Sequence, residues 1–232
     1  MMSFSYPIHI IFDLDGTLID SSPSILAALE NALTANGIEP RMKLESSIIG
    51  PPLAETMSLL TGSDDTALLN VLCSDFKSYY DTEGYKTTEF FSGVYELLSA
   101  FSSKNIPLFI ATNKRLHPTH LIIEHLGWNS FFRNIYALDC VTPSLSSKAA
   151  MLAHLLHVEG IDPAQALYVG DKPEDGHAAD QNNLQFFAAC WGYGALTDVE
   201  LRNGWKSVHS PYELVESIND WVLSNTVSLG PG

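Results

Sequence analysis

Ile8-His9-Ile10-Ile11-Phe12-Asp13-Leu14-Asp15-Gly16-Thr17 is an apolar run that stops on two carboxylates, a glycine and a hydroxyl. A run of this kind reads as a buried parallel strand, since a strand covered on both faces has no need of polar alternation. Four later runs share the pattern: Pro107–Thr112, Asn134–Leu138, Ala166–Gly170 and Gln185–Cys190. Helix-like stretches lie between them, around Pro118–Leu126, Lys148–His157 and Glu174–Gln181. The alternation predicts an α/β fold, an open parallel sheet of about five strands with helices on both faces.

The first interval breaks the rhythm. From Leu18 to Tyr85 the sequence holds no convincing strand, far more chain than a βα crossover needs. Ser22-Pro23 reads as an N-cap and first helical residue, followed by Ile25, Leu26, Leu29 and Leu33 at helical spacing until Gly37. Further helices are expected over Leu53–Leu60, after Pro51-Pro52, and from Asp65 to Tyr80 with Leu68, Leu69, Leu72 and Phe76 on one face. The organisation read from this is a core formed by residues 1–17 and 86–232, with an all-helical insert over 18–85. The segment Ser224–Gly232 is expected to fray.

Composition narrows the function. With 27 acidic and 12 basic residues the formal charge is −15, which opposes binding to nucleic acid or to an anionic membrane. No apolar run reaches the ~20 residues of a membrane span. Cys73, Cys140 and Cys190 are odd in number and lack a CxxC pair, so they read as reduced thiols. The N-terminal stretch lacks the basic and apolar regions of a signal peptide. The expectation is a soluble cytoplasmic protein, monomeric or a small homo-oligomer.

The strand ends carry the chemistry. Asp13 and Asp15, two apart on extended backbone, point the same way, and Gly16 permits a tight turn after them. In open α/β sheets ligands bind outside the carboxyl ends of the strands. Two carboxylates there can divide labour, one ionised and one protonated. An Asp- and Gly-rich strand end is also ordinary turn composition, so the other ends decide. The second strand stops at Thr112-Asn113-Lys114, a hydroxyl and an amide at the same rim; the fourth stops at Gly170-Asp171, with Asp175 in the first turn of the next helix. Asp13, Asp171 and Asp175 form an all-oxygen cluster, the chemistry of Mg²⁺ rather than zinc. Lys148, after the N-cap Ser147, sits where the helix dipole disfavours a cation, which points to a charge that neutralises phosphate.

The order Asp13-Leu14-Asp15-Gly16-Thr17, then Thr112, then Lys148, then Gly170-Asp171 with Asp175 resembles the haloacid dehalogenase-like superfamily. The helical insert and Ile49-Gly50-Pro51-Pro52-Leu53 resemble its phosphoglycolate phosphatase branch. The resemblance implies a Rossmann-like core with a helical cap, and Mg²⁺ as cofactor. It implies Asp13 as nucleophile and Asp15 as general acid/base. It implies Thr112 and Lys148 on the phosphoryl group, with Gly16 and Asn113 completing the phosphate site. Asp13, the backbone carbonyl of Asp15 and Asp171 would hold the metal, with Asp175 in support. Ala149 stands where the family often has Pro after the lysine.

The expected activity is hydrolysis of a small phosphorylated metabolite, phosphoglycolate-like by preference. A phosphosugar mutase, a nucleotide or pyrophosphate phosphatase, and a catalytically silent binding domain remain as alternatives. Specificity is expected in the insert, at Arg41, Lys43 and Gly50. His117, His120 and His125 lack metal-site spacing, His177 lies one turn past Asp175, and Trp191-Gly192-Tyr193-Gly194 reads as a loop.

Overall fold

A computed structural model describes residues 8–49, 51–194, 196, 201 and 204–227. Gly50, one of the expected specificity positions, lies outside the described residues. The chain divides into two compact units. One takes in the chain through Ile19, Phe90–Leu116 and Gly127 onward; the other is Asp20–Glu89 with His117–Leu126.

The first unit is built on a parallel sheet of six strands: β1 (His9–Phe12), β4 (Leu108–Thr112), β5 (Phe132–Ala137), β6 (Ala166–Gly170), β7 (Gln185–Ala189) and β8 (Lys206–Val208). Their order across the sheet is β5-β4-β1-β6-β7-β8. Within this sheet the order runs 3-2-1-4-5-6 in chain sequence, the doubly wound arrangement of Rossmann-like folds. Order reverses between β1 and β6, which makes their carboxyl ends the switch point where ligands bind. Register levels those ends: Phe12 pairs with Ile110 on one side and Val169 on the other.

Burial explains why the strands read as continuous apolar runs. Ile11, Phe109, Ala111, Tyr168 and Phe186 pack with Met151, Leu152 and Leu155 of helix α6 (Lys148–Glu159) and Ala178 and Ala179 of α7 (Pro173–Gln181). Side chains of the opposite parity, Ile10, Phe12, Ile110, Val169 and Phe187, are equally buried. They belong to the other face of the sheet, as alternation along a strand requires. Helices α4 (Val94–Ser103) and α8 (Pro211–Val227) pack on one another.

The expected five strands are present, and β8 is a sixth. The chain around the insert adds two short strands, β2 (Ile19–Asp20) and β3 (Glu89–Phe90), which pair with each other. The expected frayed tail is helical as far as Val227; residues 228–232 lie outside the described ones.

The second unit is helical. Helices α1 (Ser22–Ala35), α2 (Leu53–Thr61) and α3 (Thr66–Thr82) enclose Leu29, Ala32, Leu33, Met57, Leu60 and Leu72. Helix α5 (Leu116–His125) contributes His125, whose ring meets Tyr85 edge-on at 5.9 Å. Ser22 is the first helical residue rather than the cap: Ser21 holds the cap position, and Asp20 Oδ1 accepts from the Ser22 amide and hydroxyl. Asp65 caps α3, accepting from the Ala67 amide at 2.9 Å. Among the described residues no helix is long and apolar enough to cross a membrane.

Candidate active site

β1 delivers Asp13 to the switch point, and its amide still donates to the Val169 carbonyl at 2.8 Å. The chain then turns on itself. Leu18 and Ile19 amides return to the Leu14 carbonyl, at 2.9 and 3.1 Å. Gly16 takes φ +86° in this turn, and a Cβ there would collide with the Asp171 carboxylate. Glycine is therefore required twice, by backbone angle and by the close approach of a neighbouring acid.

Four charged groups converge beside this turn with almost no exposure. Asp13, Lys148, Asp171 and Asp175 are all buried. Lys148 opens α6 behind Ser147, whose hydroxyl accepts from the Ala150 amide at 3.1 Å. Its ammonium donates to Asp13 Oδ1 at 3.1 Å and to Asp175 Oδ1. Tyr168 adds a hydroxyl, 3.0 Å from the Ala111 carbonyl it donates to and 3.3 Å from Asp175 Oδ1. Asp175 Oδ2 accepts from the Lys172 amide at 2.9 Å, so both Asp175 oxygens are engaged by protein donors. That favours support over direct ligation.

Asp171 is engaged on one side only. Its Oδ2 accepts from the amides of Tyr193 and Gly194, at 2.9 and 3.0 Å. Among the described residues, its Oδ1 is buried without a hydrogen-bond partner. Carboxylate oxygens of Asp13, Asp171 and Asp175 come within 4.8 Å of one another. A buried carboxylate oxygen with no donor is costly, and a hard cation would satisfy it. The residues therefore fit a divalent metal of the oxygen-preferring kind.

The electrostatics agree. Burial pushes the Asp13 carboxyl up to about 7; Lys148 opposes this, while Asp175, Asp171 and Asp15 add to it. Burial, with Asp175, pushes Asp171 up to about 6 against the pull of Lys172 and the two loop amides. Burial alone would lower Lys148, but Asp13 and Asp175 outweigh it and hold the ammonium charged well above the usual lysine range.

A pH dependence follows. From about pH 4 to about 7 the cation-free fold retains protons on Asp13 and Asp171 that the unfolded chain has released. More protons on the folded form means that these two groups weaken the fold as pH rises through that window. A cation needs the deprotonated carboxylates, so its stabilisation must grow over the same range. The rise in thermal midpoint on adding Mg²⁺ to chelated protein is expected to increase from about pH 5 to about pH 8. A rise independent of pH would count against a cation on these acids.

The remaining expected residues are placed as follows. Thr112 is buried, and its Oγ1 accepts from the Lys114 amide at 3.2 Å, which leaves its hydroxyl proton to donate. Asp15 is half-buried and held by Lys114, whose Nζ lies 3.0 and 3.2 Å from its two oxygens. Asn113 is exposed, and its amide donates to both Glu174 oxygens at 3.2 and 3.3 Å, so here it ties the loop after β4 to the first turn of α7 rather than standing open to phosphate. In the helical unit the Arg41 amide donates to the Leu60 carbonyl, and its guanidinium lies against Gly62, the C-cap of α2. A cation is favourable at that helix end, which gives Arg41 a structural task. Lys43 is exposed. The His177 ring meets Trp205 at 5.2 Å.

Sequence reasoning missed the pairing of Lys114 with Asp15, the Tyr168 hydroxyl and the two loop amides on Asp171. The repeated glycine in Trp191-Gly192-Tyr193-Gly194 was the available signal for the last.

A family model described as haloacid dehalogenase-like hydrolase matches residues 10–189. Tyrosine-protein kinase PtkA of Mycobacterium tuberculosis is 30% identical over 81% of this chain, which spans 64% of that protein's length. The 5′-nucleotidase of Pseudomonas aeruginosa is 29% identical over 82% of this chain and 85% of its own. A phosphoglycolate phosphatase of Xylella fastidiosa is 28% identical over 84% and 85%. A solved haloacid dehalogenase-like hydrolase from Streptococcus pneumoniae superposes with a TM-score of 0.76 at 27% identity, covering 91% of this chain and 98% of that one.

Proposed function

The chain belongs to the haloacid dehalogenase-like hydrolase family, and from that footing we propose that it is a Mg²⁺-dependent phosphatase acting on a small phosphomonoester through an aspartyl-phosphate on Asp13. One observation carries the reading: among the described residues, Asp171 Oδ1 is buried and unpartnered beside Asp13 and Asp175. Such an arrangement asks for a cation, and a cation there would sit at the mouth of a nucleophile. Asp13 and Asp171 would hold Mg²⁺, with the Asp15 carbonyl, and Asp175 would support the site through Lys148 and the Lys172 amide. Bound Mg²⁺ supplies charge neutralisation for the transferring phosphoryl group.

The protein's own groups do the rest. Lys148 fixes the Asp13 carboxylate and offers positive charge beside it. The Thr112 hydroxyl is available to donate to a phosphoryl oxygen. In the first step an Asp13 oxygen bonds to phosphorus while the ester P–O bond breaks, and the leaving oxygen takes the proton of Asp15. In the second, Asp15 takes a proton from water as its oxygen bonds to phosphorus; the bond to Asp13 breaks and inorganic phosphate leaves. Splitting the reaction makes each half easier. Lys114 lies against both Asp15 oxygens and would hold the ionised carboxylate between the first step and the second.

A phosphoglycolate-like acid is the preferred substrate, supported by the similarity to a phosphoglycolate phosphatase. The core groups address only the phosphoryl group, so choice of leaving group falls to the helical insert. With Arg41 occupied at the end of α2, Lys43 is the better candidate there for a substrate carboxylate. On this proposal the partner is a small phosphorylated metabolite and the compartment is the cytoplasm.

The test is hydrolysis of an aryl phosphate with and without chelator. Activity should vanish with chelator, return with Mg²⁺ and return less with Ca²⁺, whose bonds are longer and ligands more numerous. Undiminished rates in excess chelator would sink the reading.

A further inference from the structure

The loop Trp191-Gly192-Tyr193-Gly194 leaves the carboxyl end of β7 and lies against the two segments that carry the acids. Each of its four residues makes a specific approach. Trp191 Nε1 donates to the Thr17 carbonyl at 2.9 Å, tying the turn that follows Asp13. A Cβ on Gly192 would collide with the Gly16 carbonyl and the Asp171 side chain. The amides of Tyr193 and Gly194 take Asp171 Oδ2, and the Tyr193 ring meets Phe91 edge-on at 6.2 Å. A Cβ on Gly194 would collide with the Asp171 carbonyl.

Two amides on one oxygen fix the rotation of the Asp171 carboxylate. They also determine which oxygen is left for a ligand: Oδ1, buried and without a partner among the described residues. We infer that residues 191–194 form the positioning element of the cation site. They orient Asp171 through backbone amides and hold the Asp13–Thr17 turn against it through the Trp191 indole. The inference rests on the proposed Mg²⁺ site, and it assigns to this loop no contact with the reacting atoms.

Outer partners that orient a ligand are worth about 10–100-fold in metal affinity. Mg²⁺ titration calorimetry on Gly194→Ala and Trp191→Phe, each checked for folding by circular dichroism, reads this directly. Gly194→Ala should weaken Mg²⁺ binding about 10–100-fold. Trp191→Phe keeps an aromatic side chain of smaller size, loses the indole hydrogen bond to the Thr17 carbonyl, and should weaken binding about 2- to 10-fold. In both, turnover of an aryl phosphate should recover at saturating Mg²⁺, which a damaged catalytic centre would not do. Should Gly194→Ala fail to fold, Trp191→Phe alone decides. A folded variant that binds Mg²⁺ as tightly as wild type overturns the assignment. Wild-type protein that fails to bind Mg²⁺ overturns instead the function on which it rests.

Discussion

Replacing Asp13 with Asn should reduce turnover below about one part in 10⁴ of wild type, the scale seen when a nucleophile is removed from a preorganised site. The amide is nearly isosteric but cannot form an acyl phosphate. Folding should survive, for a physical reason. Asp13 is a fully buried carboxyl already pushed up to about 7, with Asp175, Asp171 and Asp15 all repelling its charge. A neutral amide removes that repulsion, while Lys148 keeps Asp175 as partner. The thermal midpoint of the chelated variant should therefore equal or exceed that of wild type above neutral pH. An active Asp13→Asn protein would remove the residue from the nucleophile role.

Lys148→Met should damage both chemistry and fold. The ammonium joins Asp13 to Asp175, and all three side chains are buried. Removing one partner of a buried ion pair leaves the other charge uncompensated, at a cost of about 3–5 kcal/mol. The acids can escape part of that cost by taking up protons, so the loss should be smaller near pH 5.5 than near pH 8. Lys148 itself stays charged across this range, since its pKa lies well above the usual one, and its contribution is lost only in strong alkali. For turnover, loss of a preorganised positive charge beside the transferring group is expected to cost about 10²–10³-fold. Denaturant melts at the two pH values and kcat on an aryl phosphate check both halves.

The core was legible because burial on both faces leaves a strand no choice of residue. Ile10, Ile11 and Phe12, or Leu167, Tyr168 and Val169, are all inside, so the apolar run and the strand coincide. β8 broke that rule. Lys206-Ser207-Val208 is an edge strand with only Val208 buried, and Lys206 turns its ammonium over the Phe187 ring at 5.6 Å. Two-residue strands such as β2 and β3 carry no periodicity at all. Helix α4 is different: Val94, Leu97, Leu98 and Phe101 have helical spacing, and that signal was available but not read.

The acids were legible for a related reason. Each ends a strand or begins a helix, where the sequence changes abruptly from apolar to charged. What surrounds them was less so. Lys114 and Asp15 are 99 residues apart, and only the parallel pairing of β1 with β4 brings them together. The amides of Tyr193 and Gly194 belong to the backbone and have no letter of their own. Tyr168 reads as one more apolar strand residue, since its hydroxyl matters only once Asp175 lies 3.3 Å away.

The covalent step is tested most directly by trapping it. Asp15→Asn protein should still accept a phosphoryl group from an aryl phosphate, whose leaving oxygen needs little protonation, but lacks the base that activates water. Rapid acid quench followed by peptide mass spectrometry is predicted to find one phosphoryl group on the peptide containing Asp13, formed in a burst matching release of the phenol. Steady product release in wild type and variant with no phosphorylated Asp13 peptide at any time would contradict the account.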